Sequence, residues 1–149
     1  MRAVIQRVSS AAVNIDGQEH ARIGPGLLVY LGVADGDGQD DLDYLVDKVR
    51  HLRIFTDRDG KMNLDVAQAG GEVLIVSAFT VQADARRGRR PSFDAAARPD
   101  VARPLVERFC EMLTDAGLTV RQGVFAAMMD VASHNDGPVC ILLDSKRTF

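Results

Sequence analysis

The sequence predicts one α/β domain, residues 1–149, with two main helices among several strands. Three observations predict it. The runs Leu27-Leu28-Val29-Tyr30-Leu31-Gly32-Val33 and Glu72-Val73-Leu74-Ile75-Val76 are short, apolar and preceded by glycine turns, as strands buried on both faces are. Two longer stretches, one starting at Asp41 and one over residues 100–116, carry apolar residues at helical spacing. No repeat, low-complexity tract or linker interrupts the 149 residues, a length that one domain ordinarily takes.

Taken in order, Met1 to Ile15 alternates apolar and polar residues, and Asp16-Gly17 predicts a hairpin with a strand on either side. Gly24-Pro25-Gly26 turns the chain into the Leu27 strand. The segment Asp35 to Asp41 reads as a loop and a helix start. Leu42, Leu45, Val46, Val49 and Leu52 then form one stripe, with Asp40 as the expected cap, Asp41 and Asp43 at the positive end of the dipole, and Lys48, Arg50, His51 and Arg53 toward the other end. Helix electrostatics thus accounts for the acid cluster, which is assigned no ligand. Asp57-Arg58-Asp59-Gly60 is a β-turn; a calcium loop starting at Asp57 needs glycine where Met62 stands. The second helix presents Leu105, Val106, Phe109, Met112 and Leu113 on one face and stops at Gly117. Pro104 is expected in its first turn, where amides lack partners anyway. The chain returns through residues 118–121 and closes with a strand over residues 137–144.

Charge narrows the function classes. The net charge of −3 argues against a protein that coats nucleic acid indiscriminately, yet Arg86 to Arg108 carries seven arginines against three acids. One local basic face on an acidic chain suits a discrete anionic ligand. The longest apolar run is far too short to cross a membrane, and Arg2 and Arg7 precede no apolar leader core, so a soluble cytoplasmic protein is expected. Cys110 and Cys140 form no CxxC pair, and no His, Cys or carboxylate set has ligand spacing, so neither a metal nor a cofactor is expected.

The organising stretch is residues 70–93. Its strand empties into Ser77-Ala78-Phe79-Thr80, and Arg86, Arg87, Arg89 and Arg90 follow before Pro91-Ser92-Phe93. Small hydroxyl groups at the end of a rigid strand, beside guanidinium groups, can handle a phosphate-bearing substrate; a core strand followed by a solvated loop is the alternative. A hydrolase triad of Ser77, His134 and Asp136 or Asp130 lacks the glycine elbow that exposes a serine nucleophile, and His20, His51 and His134 all read as surface residues. Cys140, between Val139 and Ile141, reads as an inert strand thiol. Asn135-Asp136-Gly137-Pro138 is a polar turn whose X–Pro bond can adopt the cis form at little cost.

MRAVIQRV at 1–8, LRIF at 52–55, GKMN at 60–63, GRRPSF at 88–93 and NDGPV at 135–139 together resemble the D-aminoacyl-tRNA deacylases over the whole length of the chain. The resemblance implies a single three-layer domain with mixed β-sheets and two main helices. It also implies a homodimer that hydrolyses the ester between a D-amino acid, or glycine, and the terminal adenosine of tRNA. Gly137-Pro138, with a cis bond, would reach into the partner's pocket as chiral selector, and Arg7 would hold its orientation. Ser77, Phe79 and Thr80 would carry catalysis beside Ala78, with Phe125 and Met129 flanking the adenosine. Backbone amides near Phe79 and Thr80 would hold the oxyanion, the RNA 2′-hydroxyl would assist, and Arg86, Arg87, Arg89 and Arg90 would contact tRNA phosphates. A nucleophilic Thr80 is the competing scheme.

Departures from the family pattern concentrate at the site. Ala78 and Val81 stand where the family has Gln and Leu, Cys140 replaces Thr, Ala126 and Met128 replace Gly and Asp, and Ser133-His134 replaces an apolar pair. They leave open a deacylase for another mischarged tRNA, or a tRNA-binding module with weakened catalysis.

Overall fold

A computed structural model describes residues 1–149. Strand β1 (Arg2–Ile15) is long enough to serve two layers, and the hairpin turn after it places Asp16 and Gly17 at φ 51° and 77° before β2 (Gln18–Ile23). Two successive positive φ values match the twist of the flanking strands, which is why an Asp-Gly pair serves there. Strand β3 (Gly26–Gly32) pairs antiparallel with residues 2–8 of β1. Helix α1 (Gln39–His51) and a small hairpin, β4 (Phe55–Thr56) and β5 (Met62–Leu64), follow. Strand β6 (Glu72–Ser77) then runs parallel to β3. A 3₁₀ turn (Phe79–Gln82) and helix α2 (Pro99–Asp115) lead to β7 (Val120–Gln122), parallel to β6, and to β8 (Asp130–Asp144), antiparallel to nearly all of β1. The sheet order is β2-β1-β3-β6-β7, with β8 on the other edge of β1.

Strand alternation sorts the core into layers. Leu27, Val29, Leu31, Val73 and Ile75 face α1 and α2, meeting Leu45, Val49, Phe109 and Leu113. Leu28, Leu74 and Val76 face the other way, onto Val8, Ala11, Val13 and Ile23. β1 contributes Ala3 and Ile5 to the first cluster and Val8 to Val13 to the second, so it must bend between them. Its register against β8 breaks there, around Arg7 and Ser9. The result is helices, a central sheet and a folded-over sheet of β2, β1 and β8, in agreement with the three-layer mixed α/β expectation.

Three local expectations are corrected. Asp40 does not cap α1; the N-cap is Gly38, whose amide donates to the Asp41 carboxylate at 2.9 Å. The acid cluster is more than a dipole partner, because the Met1 ammonium lies buried 2.6 Å from Asp37 and 3.8 Å from Asp41. Ser145 and Lys146 reach the Asp41 carboxylate from the C-terminal end at 2.6 and 2.8 Å. Pro104 stands in the second turn of α2, since Pro99 takes the first helical position. The Asp100 carbonyl that loses its donor is on an exposed face, where water can supply one.

Candidate active site

β3 and β6 end side by side, and ligands of parallel sheets gather at such carboxyl ends. Here the chain beyond β6 continues the pairing for one residue, the Ala78 amide donating to the Leu31 carbonyl at 2.9 Å, and then winds into the 3₁₀ turn. Gly32 permits the close approach: a Cβ on it would lie 2.9 Å from the Ala78 carbonyl oxygen and 3.1 Å from Cβ of Val81. Gln82, almost fully buried, fastens the turn by donating to the Gly32 carbonyl at 2.7 Å. The Val81 amide is taken by the Ala78 carbonyl. Phe79 and Thr80 open the turn, so their amides have no acceptor within it.

Above this turn lies a groove of about 840 Å³. Ser77, Ala78, Phe79 and Thr80 form its floor, Phe93 one wall, and Phe125 to Met129 the other. No charged side chain lines it. Phe79 is 59% exposed and meets Phe93 edge-on at 5.1 Å, so a large aromatic surface is left open to a ligand. Met129 lies close over Gly123, where an added Cβ would come within 2.5 Å of its sulfur. Ala126 holds φ 64°, a backbone conformation at which glycine is at ease.

The structure thus brings Ser77, Ala78, Phe79, Thr80, Phe125 and Met129 together around one groove. It does not bring Gly137 and Pro138 there. Residues 136–139 form an excursion of β8 opposite the single residue Arg7, with Gly137-Pro138 exposed at its tip and the peptide bond between them cis. Buried Arg7 donates from Nε to the Asp136 carbonyl at 3.1 Å, pairs with the Asp136 carboxylate at 3.1 Å, and donates from its terminal nitrogen to the Ile54 carbonyl. Asn135 closes the base: its side chain accepts from the Val139 amide at 2.9 Å and donates to the Val139 carbonyl at 3.0 Å. The motif NDGPV was legible, but the clamping roles of Asn135, Gln82 and Gly32 were not; a side-chain amide after a strand and before Gly-Pro was the only signal for the first.

The remaining candidates separate. Arg86, Arg87, Arg89 and Arg90 lie in an exposed loop cinched by the Asp84–Ser92 bridge, next to the groove wall at Phe93. Arg86 is engaged bidentately with Asp84 at 2.9 and 2.6 Å, and these bonds hold the Asp84 carboxyl well below the usual carboxylate range. Arg87, Arg89 and Arg90 make no ion pair. His134 faces Ser10, Nδ1 to Oγ 2.9 Å, and no Ser77–His134 pair is assembled. Burial, with Glu107 and Glu111 nearby, pushes the Cys110 thiol up to about 12, which leaves it unreactive.

Residues 4–144 match the family model described as D-Tyr-tRNA(Tyr) deacylase. The chain is 56% identical over 149 residues, covering all of both chains, to a D-aminoacyl-tRNA deacylase of Anaeromyxobacter dehalogenans. To that of Thermotoga petrophila it is 54% identical, again over the whole of both. The chain belongs to the D-Tyr-tRNA(Tyr) deacylase family. It is accordingly an enzyme of the ester-hydrolase class. Among solved structures, the c-Myc DNA Unwinding Element Binding Protein superposes with a TM-score of 0.92 at 37% identity, covering 97% of this chain and 98% of that one. A probable eukaryotic D-amino acid tRNA deacylase shares the fold, with a TM-score of 0.83 at 19% identity over 95% of this chain and 97% of that one. Of the positions expected from the sequence to depart from the family pattern, Ala78, Ala126 and Met128 line the groove and Val81 does not. No helix is long and apolar enough to cross a membrane.

Proposed function

We propose that the chain acts as one domain, residues 1–149, that hydrolyses the ester of D-aminoacyl-tRNA and of mischarged glycyl-tRNA as a cytoplasmic homodimer, a proofreading step in translation. The observation that carries this reading is the uncharged aromatic groove over a strand end, where the amides of Phe79 and Thr80 lack acceptors within their turn. The terminal adenosine would lie between Phe125 and Met129, with the ester carbonyl over Phe79 and Thr80. Water attacks that carbonyl, the amides of Phe79 and Thr80 receive the developing oxyanion, and the ribose hydroxyl departs with a proton, assisted by its neighbouring 2′-hydroxyl. An oxyanion donor of this kind is worth ~10²–10³ in rate, sufficient for an ester that is already activated. Ser77 shapes the floor rather than attacking. Arg87, Arg89 and Arg90, with Arg86 if Asp84 releases it, would grip acceptor-stem phosphates without reading sequence.

Chirality would be read by Gly137-Pro138 of a second copy. In one chain the excursion is exposed and lies outside the groove, and β8 bonds only β1, so its outer edge is open along with Leu142, 61% exposed. An open edge of that length is a ready surface for a second copy. The test is release of D-Tyr from D-Tyr-tRNA with sparing of L-Tyr-tRNA, alongside the sedimentation mass; equal turnover of both esters, or none, refutes the assignment. Ala78, Ala126 and Met128 on the groove surface favour one second reading, a deacylase for a different mischarged tRNA. Activity confined to an L-aminoacyl-tRNA would select it.

A further inference from the structure

The groove contains no cation, yet an aminoacyl-adenosine at the end of an RNA brings a phosphate with it. Next to the groove is a second, polar cavity of about 300 Å³. The two share Ser77, Val106 and Phe125, so a ligand can pass from one to the other across the Phe125 ring. His20 of β2, Gln122 of β7, and Arg103 and Glu107 of α2 supply its polar lining. The Arg103 guanidinium carbon stands 4.7 Å from the centre of the Phe125 ring, so one aromatic side chain faces the groove and carries a cation beside it.

Helix stability does not explain Arg103. It lies in the second turn of α2, beyond the first turn over which the helix dipole acts and far from the C-terminal end that favours a cation. The flanking arginines are neutralised, Arg98 by Asp100 at 3.2 Å and Arg108 by Glu111 at 3.0 Å, whereas Arg103 makes no ion pair. An exposed guanidinium that makes no ion pair and stands over an aromatic ring is available to an anion, with Glu107 the one carboxylate in the cavity.

We propose that Arg103, with His20 and Gln122 beside it, binds the phosphate on the 5′ side of the terminal adenosine and so fixes the RNA end in the groove. This is a binding role separate from the grip of the 86–90 loop, which adjoins the groove at Phe93 and shares no residue with this cavity. It rests on the deacylase reading, and the experiment separates the two. Three substrates are compared in wild type, Arg103→Gln and Arg103→Lys: D-Tyr-tRNA, the D-tyrosyl ester of adenosine, and the same ester of adenosine 5′-monophosphate. Wild type should show a KM about tenfold lower for the 5′-phosphorylated ester than for the unphosphorylated one, at similar kcat. Arg103→Gln should remove that gap by raising KM for the 5′-phosphorylated ester about tenfold, and flatten the salt dependence for D-Tyr-tRNA by about one unit of slope. Arg103→Lys, which keeps the charge but not the planar fork, should restore part of the gap. Wild type that cleaves D-Tyr-tRNA but shows no phosphate advantage overturns the proposal, absence of turnover on both small esters included. A gap that survives in Arg103→Gln, or an equal loss on both small esters, overturns it as well. Failure of wild type to cleave D-Tyr-tRNA sinks the deacylase reading itself.

Discussion

Asn135→Ala tests whether the Gly137-Pro138 excursion is held rigid by its own base. Two hydrogen bonds, at 2.9 and 3.0 Å, tie the Asn135 amide to both backbone groups of Val139, a residue only 7% exposed. Truncation leaves a buried amide and a buried carbonyl without this partner, at ~1–3 kcal/mol each. Asn135 itself is half-buried, so water can reach the opening and the lower end applies, about 2 kcal/mol in all. That is about a thirtyfold shift in the folding equilibrium. At a urea dependence of about 2 kcal/mol per molar, the midpoint should fall by about 1 M. The chain has no Trp, so far-UV circular dichroism is the appropriate probe. Arg7→Lys should act on the same excursion, since lysine cannot serve the Asp136 and Ile54 carbonyls from two diverging nitrogens. The two changes should therefore couple by more than ~0.5 kcal/mol in a double-mutant cycle. Preference for D- over L-Tyr-tRNA should fall ten- to a hundredfold in Asn135→Ala, the scale of an ångström's misplacement. Lost stability with an unchanged D/L ratio refutes the reasoning, as does strict additivity with Arg7→Lys.

Other outcomes follow from the same geometry. Thr80→Ala should keep kcat within about tenfold of wild type if backbone amides hold the oxyanion; a loss of several orders of magnitude with the fold intact assigns Thr80 as nucleophile. Ala78→Gln adds a groove amide and should raise kcat/KM two- to tenfold, the value of about one hydrogen bond, measured on D-Tyr-tRNA. Gly26→Ala sets a Cβ 1.9 Å from the Glu72 carbonyl oxygen at the first β3–β6 pair, and should cost at least ~3 kcal/mol or prevent soluble expression; a wild-type Tm disproves the close approach. For Asp41, burial alone would push the carboxyl up, but Lys146, Ser145, the Gly38 amide and the Met1 ammonium outweigh it and hold it at about 2. A carboxyl depressed below its unfolded value contributes stability that is present above pH ~4 and lost as pH falls through about 2, roughly 2 kcal/mol here. Asp41→Asn should be less stable at pH 7 and show a shallower acid limb; an identical limb refutes the link.

The fold was readable where local pattern and tertiary role agree. β3 and β6 are apolar runs because both of their faces are covered, and that is a property of the run itself. The α1 stripe and the Asp-Gly hairpin are equally local. Most of what escaped was settled between segments far apart in the chain. Asp41 reads as a dipole partner and Asp37 as part of a loop because nothing near them in the chain reveals that the Met1 ammonium, Ser145 and Lys146 converge on them. The groove floor was legible from the strand end, but Gln82 as its fastener was not, since its acceptor is the Gly32 carbonyl on another strand. Asn135 escaped for a different reason: a side chain standing in for a ladder partner leaves the same letters as an ordinary polar turn.

These distances also bear on how selection can work. The groove presents aromatic and aliphatic surface with two hydroxyls on its floor and no charged side chain, so nothing in it can seize the substrate's α-ammonium group or weigh one side chain against another by charge. A site of this kind discriminates by shape and by backbone, because methylene-sized differences on apolar walls are worth only ~1–3 kcal/mol. Backbone carbonyls held at fixed positions can do better, since a side chain of the wrong hand must collide with main chain that cannot rotate away. In this chain the segment with that character is residues 136–139, braced by Arg7 and by Asn135 at the base, and it takes no part in the lining of the chain's own groove. Mixing an Arg7→Ala chain with a Phe79→Ala chain therefore gives a sharp expectation. If each groove takes its selector from a second copy, mixed dimers contain one site built from two intact halves, and D-selective activity should rise in the mixture above that of either parent. If each chain completes its own groove, the mixture gives only the average of its parents, and the cross-subunit arrangement falls.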